Sequence, residues 1–336
     1  MAATACSLAR QWQLRSRPLA ARFVGVGSPL AARFCGSRGF AAAASCQDQP
    51  LRLGGVPEHF NGPFHWALAE KGAYAVADRP FKATWTTYPK GTGEMVAAVE
   101  NGEVDVACVL LEGGVAAIAN GSPIRIFGTY VATPLSWGVH VRAKDEALKD
   151  IEDLRGKTFG ISRMGSGSHL MSYVMAGQRG WPMEDVKLKV AGSLDDARAA
   201  MKAGDIDVWL WEKFTTNYLV ESGEWKRVGE VPTPWPCFVF VALESTCKNR
   251  SGDLKRLLDL TRPVCDEYKR NVAGRTVEYV SANHRLSKEL AEEWLSGVEW
   301  ACDTKVAPEA LNSALHHLRK MGQISDDAHA ELTVAL

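Results

Sequence analysis

The sequence predicts an α/β protein of two lobes, each a mainly parallel sheet flanked by helices, with a cleft between them. Three observations carry that prediction. Beyond a basic leader the chain keeps roughly 290 residues, more than one ordinary core accommodates. A strand–helix alternation runs through the first part of the chain and then restarts. Two ten-residue segments, 97–106 (AAVENGEVDV) and 199–208 (AAMKAGDIDV), agree in residue type at nearly every position. Each reads as a helix, a glycine stop, an acidic turn and a buried strand, so the two halves share a unit.

Residues 1–47 are read as an organelle presequence. They hold Arg10, Arg15, Arg17, Arg22, Arg33 and Arg38, no lysine, and no acidic residue before Asp48. A secretory signal needs an unbroken apolar core, whereas the best stretch here, 23–32, is interrupted by Gly25, Gly27 and Pro29. Arg38-Gly39-Phe40 followed by Ala41-Ala42 resembles a mitochondrial matrix processing site, so the expected address is the mitochondrial matrix. A plastid is the second choice, disfavoured by the sparse serine.

The whole chain is charge-balanced, with 39 basic and 39 acidic residues. Without the leader's arginines it carries about six net negative charges. It has no basic footprint for nucleic acid. No apolar run approaches the ~18 residues that a membrane span requires. Cys108, Cys237, Cys247, Cys265 and Cys302 are widely spaced with no CxxC pair, which argues against a zinc site and against a disulfide framework.

The first lobe is expected over 48–135. Residues 51–56 read as a strand and 57–63 as a loop into a helix over 64–71. Residues 81–87 alternate as a strand does. A glycine-bearing loop, 89–93, then opens a helix over 94–101 that Gly102 stops in the left-handed conformation. Residues 104–110 are almost wholly apolar, as in a parallel strand covered on both faces. Glu112-Gly113-Gly114 starts a short helix to Asn120, and 124–131 is the next strand.

The second lobe is expected over 136–235. It contains a strand over 157–162, the loop Gly165-Ser166-Gly167-Ser168-His169, and a helix over 170–180. A strand over 186–190, a helix over 194–203 ended by Gly204, and a strand over 206–210 follow. A helix start presents unpaired N–H groups and partial positive charge, and glycines admit a ligand closely, so the Gly/Ser loop is a candidate cradle for an anionic or carbonyl group. The proline-restricted, extended segments 134–137 and 232–236 are the expected crossing strands between lobes. The chain returns at 236–336 with a strand over 238–243, a helix from Leu254 that Pro263 is expected to kink, and helices over 272–282, 287–300 and 308–321.

This arrangement resembles the type II periplasmic-binding-protein fold, in the branch that includes sulfonate- and nitrate-type binding proteins and the thiamine-pyrimidine synthases. The likeness covers roughly residues 51–300. It rests on the Gly-x-Val/Ile-Asp-Val units at 102–106 and 204–208, on Asp153-Leu154-Arg155-Gly156-Lys157-Thr158-Phe159-Gly160 before the cradle, and on the paired crossings. The resemblance implies a small molecule held between lobes that hinge shut on it. By position the first lobe offers Glu58, His59, Asn61, Lys90, Gly91, Thr92, Gly93 and Glu112. The second offers Ser162, Arg163, Gly165, Ser166, Gly167, Ser168, His169, Trp211 and Glu212, with Trp137 and Trp235 from the crossings and Lys213 beside Glu212. Two helix starts with Lys90 and Arg163 favour an anionic group. The glutamates and His59 suit a nitrogen-bearing portion, which makes the expected ligand anionic or zwitterionic. Trp137, Trp211 and Trp235 are read first as packing residues, and Glu212-Lys213 as a solvated pair at the cleft rim.

A binding protein is therefore expected, with no catalytic residue, no cofactor and no metal assigned, and with no protein partner identified. The competing class is an enzyme of the thiamine-pyrimidine-synthase type or a related lyase, with His59 and Glu58 or Glu112 as acid/base groups and Lys90 or Lys213 on a cofactor. The chain departs from that type in having no cysteine cluster. A third class is a sensory or scaffolding module for a protein. The glycine loops lack the third glycine of a dinucleotide fingerprint, with Val96 and Leu170 standing there, and neither carries Gly-Lys-Ser/Thr. Ser166 and Ser168 are not in a G-x-S-x-G elbow. His316 and His317 point about 100° apart on a helix and cannot chelate one metal together.

Overall fold

The computed structural model describes residues 49–71, 74–76, 79–327 and 331–336. The expected leader, 1–47, lies outside them. A nine-stranded sheet forms the frame, in the order β4-β1-β5-β10-β6-β9-β7-β8, with β11 added to β6. In chain order the strands are β1 (Leu51–Gly55), β2 (Tyr74–Val76), β3 (Arg79–Phe81), β4 (Ala83–Thr87), β5 (Val106–Leu110), β6 (Ile124–Arg142), β7 (Thr158–Ile161), β8 (Lys187–Val190), β9 (Val208–Glu212), β10 (Trp225–Leu243) and β11 (Trp300–Asp303). Among the described residues β2 and β3 pair only with each other.

β1 pairs in parallel with β4 and β5, and β7 pairs in parallel with β8 and β9. These are the parallel cores of the two lobes. β6 and β10, each 19 residues long, run antiparallel through both. The crossing strands expected at 134–137 and 232–236 are the middles of two longer continuous strands. Their prolines keep the backbone extended and withhold N–H donors. The ladder slips instead of ending, with register shifts between Pro232 and Pro236 and between Pro236 and Phe238.

The repeated segment has a structural role in both lobes. Helices Thr92–Glu100 and Leu194–Ala203 end near Gly102 and Gly204, whose φ of +68° and +83° is the left-handed conformation that glycine adopts without strain. Beyond the turn, Asp105 exchanges two bonds with Arg52: its N–H donates to the Arg52 carbonyl at 2.8 Å, and its carboxylate accepts the Arg52 N–H at 2.9 Å. Asp207 does the same with Thr158, at 2.8 Å and 3.0 Å. In each lobe the aspartate ties the incoming strand to the neighbour it joins.

The remaining helices include Ser251–Lys269, which contains Pro263, then Arg275–His284, Lys288–Gly297 and Pro308–Lys320. The helix expected over 287–300 stops at Gly297. Trp300 and Cys302 alternate inward as a strand does, and β11 pairs antiparallel with β6. The core of the first lobe includes Phe64, Phe127, Tyr130 and Phe240, ring against ring. A separate cluster in the second lobe holds Met201, Trp209, Leu219 and Trp225.

Candidate functional site

The carboxyl ends of β1, β4, β5, β7 and β9 open onto one cavity of about 290 Å³. This is where ligands bind in open α/β sheets, because the loops after the strands converge there. Of the residues singled out above for ligand contact, Glu58, Lys90, Gly91, Thr92, Gly93, Glu112, Trp137, Ser162, Arg163, Gly165, Ser166, Gly167, Ser168, Trp211 and Glu212 stand in its wall. Lys213 and Trp235 lie outside it, and so do His59, Asn61 and His169.

Those three have other work. Asn61 donates from Nδ2 to the Val56 carbonyl at 2.8 Å, fixing the loop after β1. His59 is buried in an aromatic pile, stacked on Phe60 at 4.7 Å and edge-on to Trp294 at 4.5 Å. Burial, with His284 nearby, holds its ring neutral, its pKa well below the ordinary histidine range. At 3.9 Å its Nε2 is too far from Glu212 for a hydrogen bond. His169 accepts the Gly165 N–H on Nδ1 at 3.0 Å, which shapes the cradle from behind.

The cradle itself is knitted by its serines. Ser166 caps helix Gly167–Gln178, its Oγ accepting the His169 N–H at 3.3 Å. Ser168 Oγ accepts the Ser162 N–H at 3.0 Å and lies 3.0 Å from Ser166 Oγ. Gly165, at φ +76°, makes the turn. Gly167 lies so close to Trp137 that a Cβ would come within 2.7 Å of its ring. Across the cavity, Gly93 faces Arg163, and a Cβ there would sit 3.2 Å from the guanidinium. Lys90 and Arg163 are exposed at the mouth.

Three carboxyl groups line the same cavity. Glu112, in the first turn of helix Leu111–Ala119, accepts the Trp235 indole N–H on Oε2 at 2.9 Å. Burial raises its pKa to about 7, against the pull of that bond. Glu58 is pushed up to about 8 by desolvation, with the Glu212 charge adding to it. Glu212 is raised as well by burial, although the Phe214 and Thr215 N–H groups and the Thr215 hydroxyl donate to it at 3.1, 2.7 and 2.8 Å. The solvated rim pair expected at Glu212-Lys213 is therefore corrected: Glu212 is buried, and Lys213 turns away to Glu293 at 3.1 Å and Glu230 at 3.2 Å. Trp211 stacks on Trp209 and meets Trp137 edge-on while still lining the cavity. The five cysteines at 108, 237, 247, 265 and 302 are free and buried.

Sequence reading missed the apolar wall, Leu110, Leu135 and Phe238, and the closure from the carboxyl-terminal region, Leu318 and Gln323. Leu110 and Phe238 sit inside the strands expected over 104–110 and 238–243, and Leu135 in the crossing over 134–137. Gln323 follows the helix that ends near Gly322, and nothing local marks it. Its carbonyl accepts from Asn120 Nδ2 at 3.2 Å and its amide lies 3.2 Å from His169 Nδ1, so it spans both lobes. Among the described residues no group of three His, Cys, Asp or Glu side chains is arranged to hold a metal, and no helix is long and apolar enough to cross a membrane.

The family model described as Ca3427-like PBP matches residues 137–231. The chain is similar to the Candida albicans CA3427 gene product, which exhibits the generic periplasmic binding protein fold, at 26% identity, over 86% of this chain and 98% of that one, with a TM-score of 0.75. It is similar in fold to the alkanesulfonate-binding protein SsuA of Xanthomonas axonopodis pv. citri bound to MOPS, at 18% identity over 85% of this chain and 96% of that one, TM-score 0.65. The aliphatic sulphonate binding protein SsuA of Escherichia coli aligns at 15% identity over 85% and 93%, TM-score 0.67. No curated protein matches the chain.

Proposed function

Taking the chain as a member of the type II periplasmic-binding-protein-like superfamily, we propose that it binds a small anionic or zwitterionic molecule between its lobes and acts by closing them over it. One observation carries this reading: loops from both lobes wall a single cavity, whose size lies near the lower end of the roughly 300–1,000 Å³ typical of small-molecule sites. The start of helix Gly167–Gln178, with Arg163 beside it, supplies the complement to an anion. Fold neighbours named for sulfonate binding support the same class.

Native mass spectrometry of the full chain, purified without denaturation, tests it. A small molecule should co-purify, be released on activation, and be lost from Arg163→Ala and Ser166→Ala. In thermal unfolding, a ligand at a hundred times its Kd should stabilise the fold by about 2.7 kcal/mol. An empty protein that shows no thermal shift with sulfonates, carboxylates or phosphates would sink the reading.

The mitochondrial matrix is the proposed location, on the strength of the arginine-rich, acid-free residues 1–47. Isolated mitochondria should take up the chain and shorten it to a protease-protected form. A variant with the six leader arginines changed to glutamine should stay outside, and equal uptake of both chains would overturn the assignment.

A further inference from the structure

Two polar atoms in the cavity wall are buried and lack a hydrogen-bond partner among the described residues: Glu112 Oε1 and Trp137 Nε1. Both side chains are more than nine-tenths buried, at 3% and 4% exposure. Leaving such atoms unpaired costs about 1–3 kcal/mol each. They are of opposite kind: the indole N–H is a donor only, and an ionised carboxylate is an acceptor only. One ligand satisfies both if it carries a donor-rich group for the carboxylates and an acceptor for the indole.

The surroundings assign the two ends. Glu58, Glu112 and Glu212 enter the cavity from the loop after β1, the helix after β5 and the end of β9. An ionised carboxylate only accepts hydrogen bonds, so a cation carrying several N–H donors fits this side of the cavity. Trp137, paired across the sheet with Glu212, lays its ring against Gly167, in the first turn of the helix that the cradle opens. Resting on the binding function proposed above, we propose that the cavity selects zwitterions over simple anions, seating a protonated amine at the unpaired oxygen of Glu112 and the anionic group between Trp137 and the Gly165–Ser168 loop. Neither unpaired atom is open to solvent in this form, so the ligand reaches them as the lobes part.

Binding then moves protons. Glu58 and Glu212 face each other, the Cys237 thiol interacts with all three carboxyls, Trp235 donates to Glu112, and the neutral His59 ring and Lys213 lie beside Glu212, with Lys90 and Arg163 at the mouth. Glu58, raised to about 8, and Glu112, raised to about 7, are each partly protonated around neutral pH, Glu58 the more so. An arriving ammonium favours their ionised forms and expels those protons to solvent.

Titration calorimetry of the full chain at pH 7.5, in phosphate and in Tris, reads both effects. The probes are matched pairs: 3-aminopropanesulfonate and propanesulfonate, 4-aminobutyrate and butyrate, 2-aminoethylphosphonate and ethylphosphonate. The amine of at least one pair should bind roughly 10–100-fold more tightly than its partner, as a charge-assisted hydrogen bond is worth. Its enthalpy should differ between the buffers in the sense of proton release. Glu112→Gln should narrow the preference about tenfold, and Glu58→Gln should reduce the proton count. Equal affinity within every pair, with buffer-independent enthalpy, overturns this inference while leaving the binding function standing. No binding by any probe, to a protein that also carries no co-purified ligand, overturns both.

Discussion

At the scale of single residues, Glu112 sets a pH dependence that can be worked out in sign. A carboxyl whose folded pKa is raised binds its proton more tightly in the folded chain than in the unfolded one. Its cost to stability is absent below the ordinary carboxylate range and complete above the raised value. For Glu112 that window runs from 4.5 to about 7. Glu112→Gln should therefore be as stable as the parent at pH 4.5 and more stable at pH 8, by on the order of 2–3 kcal/mol. Urea unfolding at the two pH values measures the difference, and a difference that does not change with pH would count against the assignment. The sequence marked this glutamate by its place after a buried strand. It could not show that Trp235 would hold one oxygen and leave the other bare, because that pairing joins residues far apart in the chain. For the same reason His59 and Asn61, adjacent to Glu58, were expected in the cleft. The 3-10 turn over His59–Asn61 instead leaves Glu58 in the cavity wall and packs the other two side chains inward.

At the scale of elements, the repeated helix–glycine–aspartate–strand unit was legible because it is local: propensity, a left-handed stop and a buried strand all lie within ten residues. Its physical meaning required the partner strand. Asp105 and Asp207 each hold the first turn of a parallel pair in register. Burial pushes the Asp105 carboxyl up, but the Arg52 hydrogen bonds outweigh it and leave the pKa below the usual range. Asp105→Ala and Asp207→Ala should each cost about 1–3 kcal/mol. The two losses should add, since the aspartates share no partner. Chemical denaturation of the single and double variants decides it: loss of ligand binding with stability intact would mean that the unit serves the site and not the frame. Boundaries read less well where periodicity was cut short, as at Gly297, where a helical pattern carried on in sequence into residues that belong to β11.

At the scale of the whole molecule, two lobes and a cleft followed from the restart of the alternation, and the nine-stranded order followed from neither propensity nor pattern. The proline-bearing crossing strands did not disclose their partners, because no local signal shows that Ser136 will lie against Pro232, or Val131 against Phe238. The carboxyl-terminal closure by Gln323 was invisible for the same reason. The pair formed by β6 and β10 has a further consequence, for the order of events during folding. β5 and the first half of β6 wait for Phe238 to Leu243 to complete their sheet, while the parallel strands of the second lobe are all encoded between those two stretches. As the chain emerges from a ribosome or a translocation pore, the first lobe stays an open template until the second has been delivered, so its exposed strand edges are most vulnerable to mispairing in that interval.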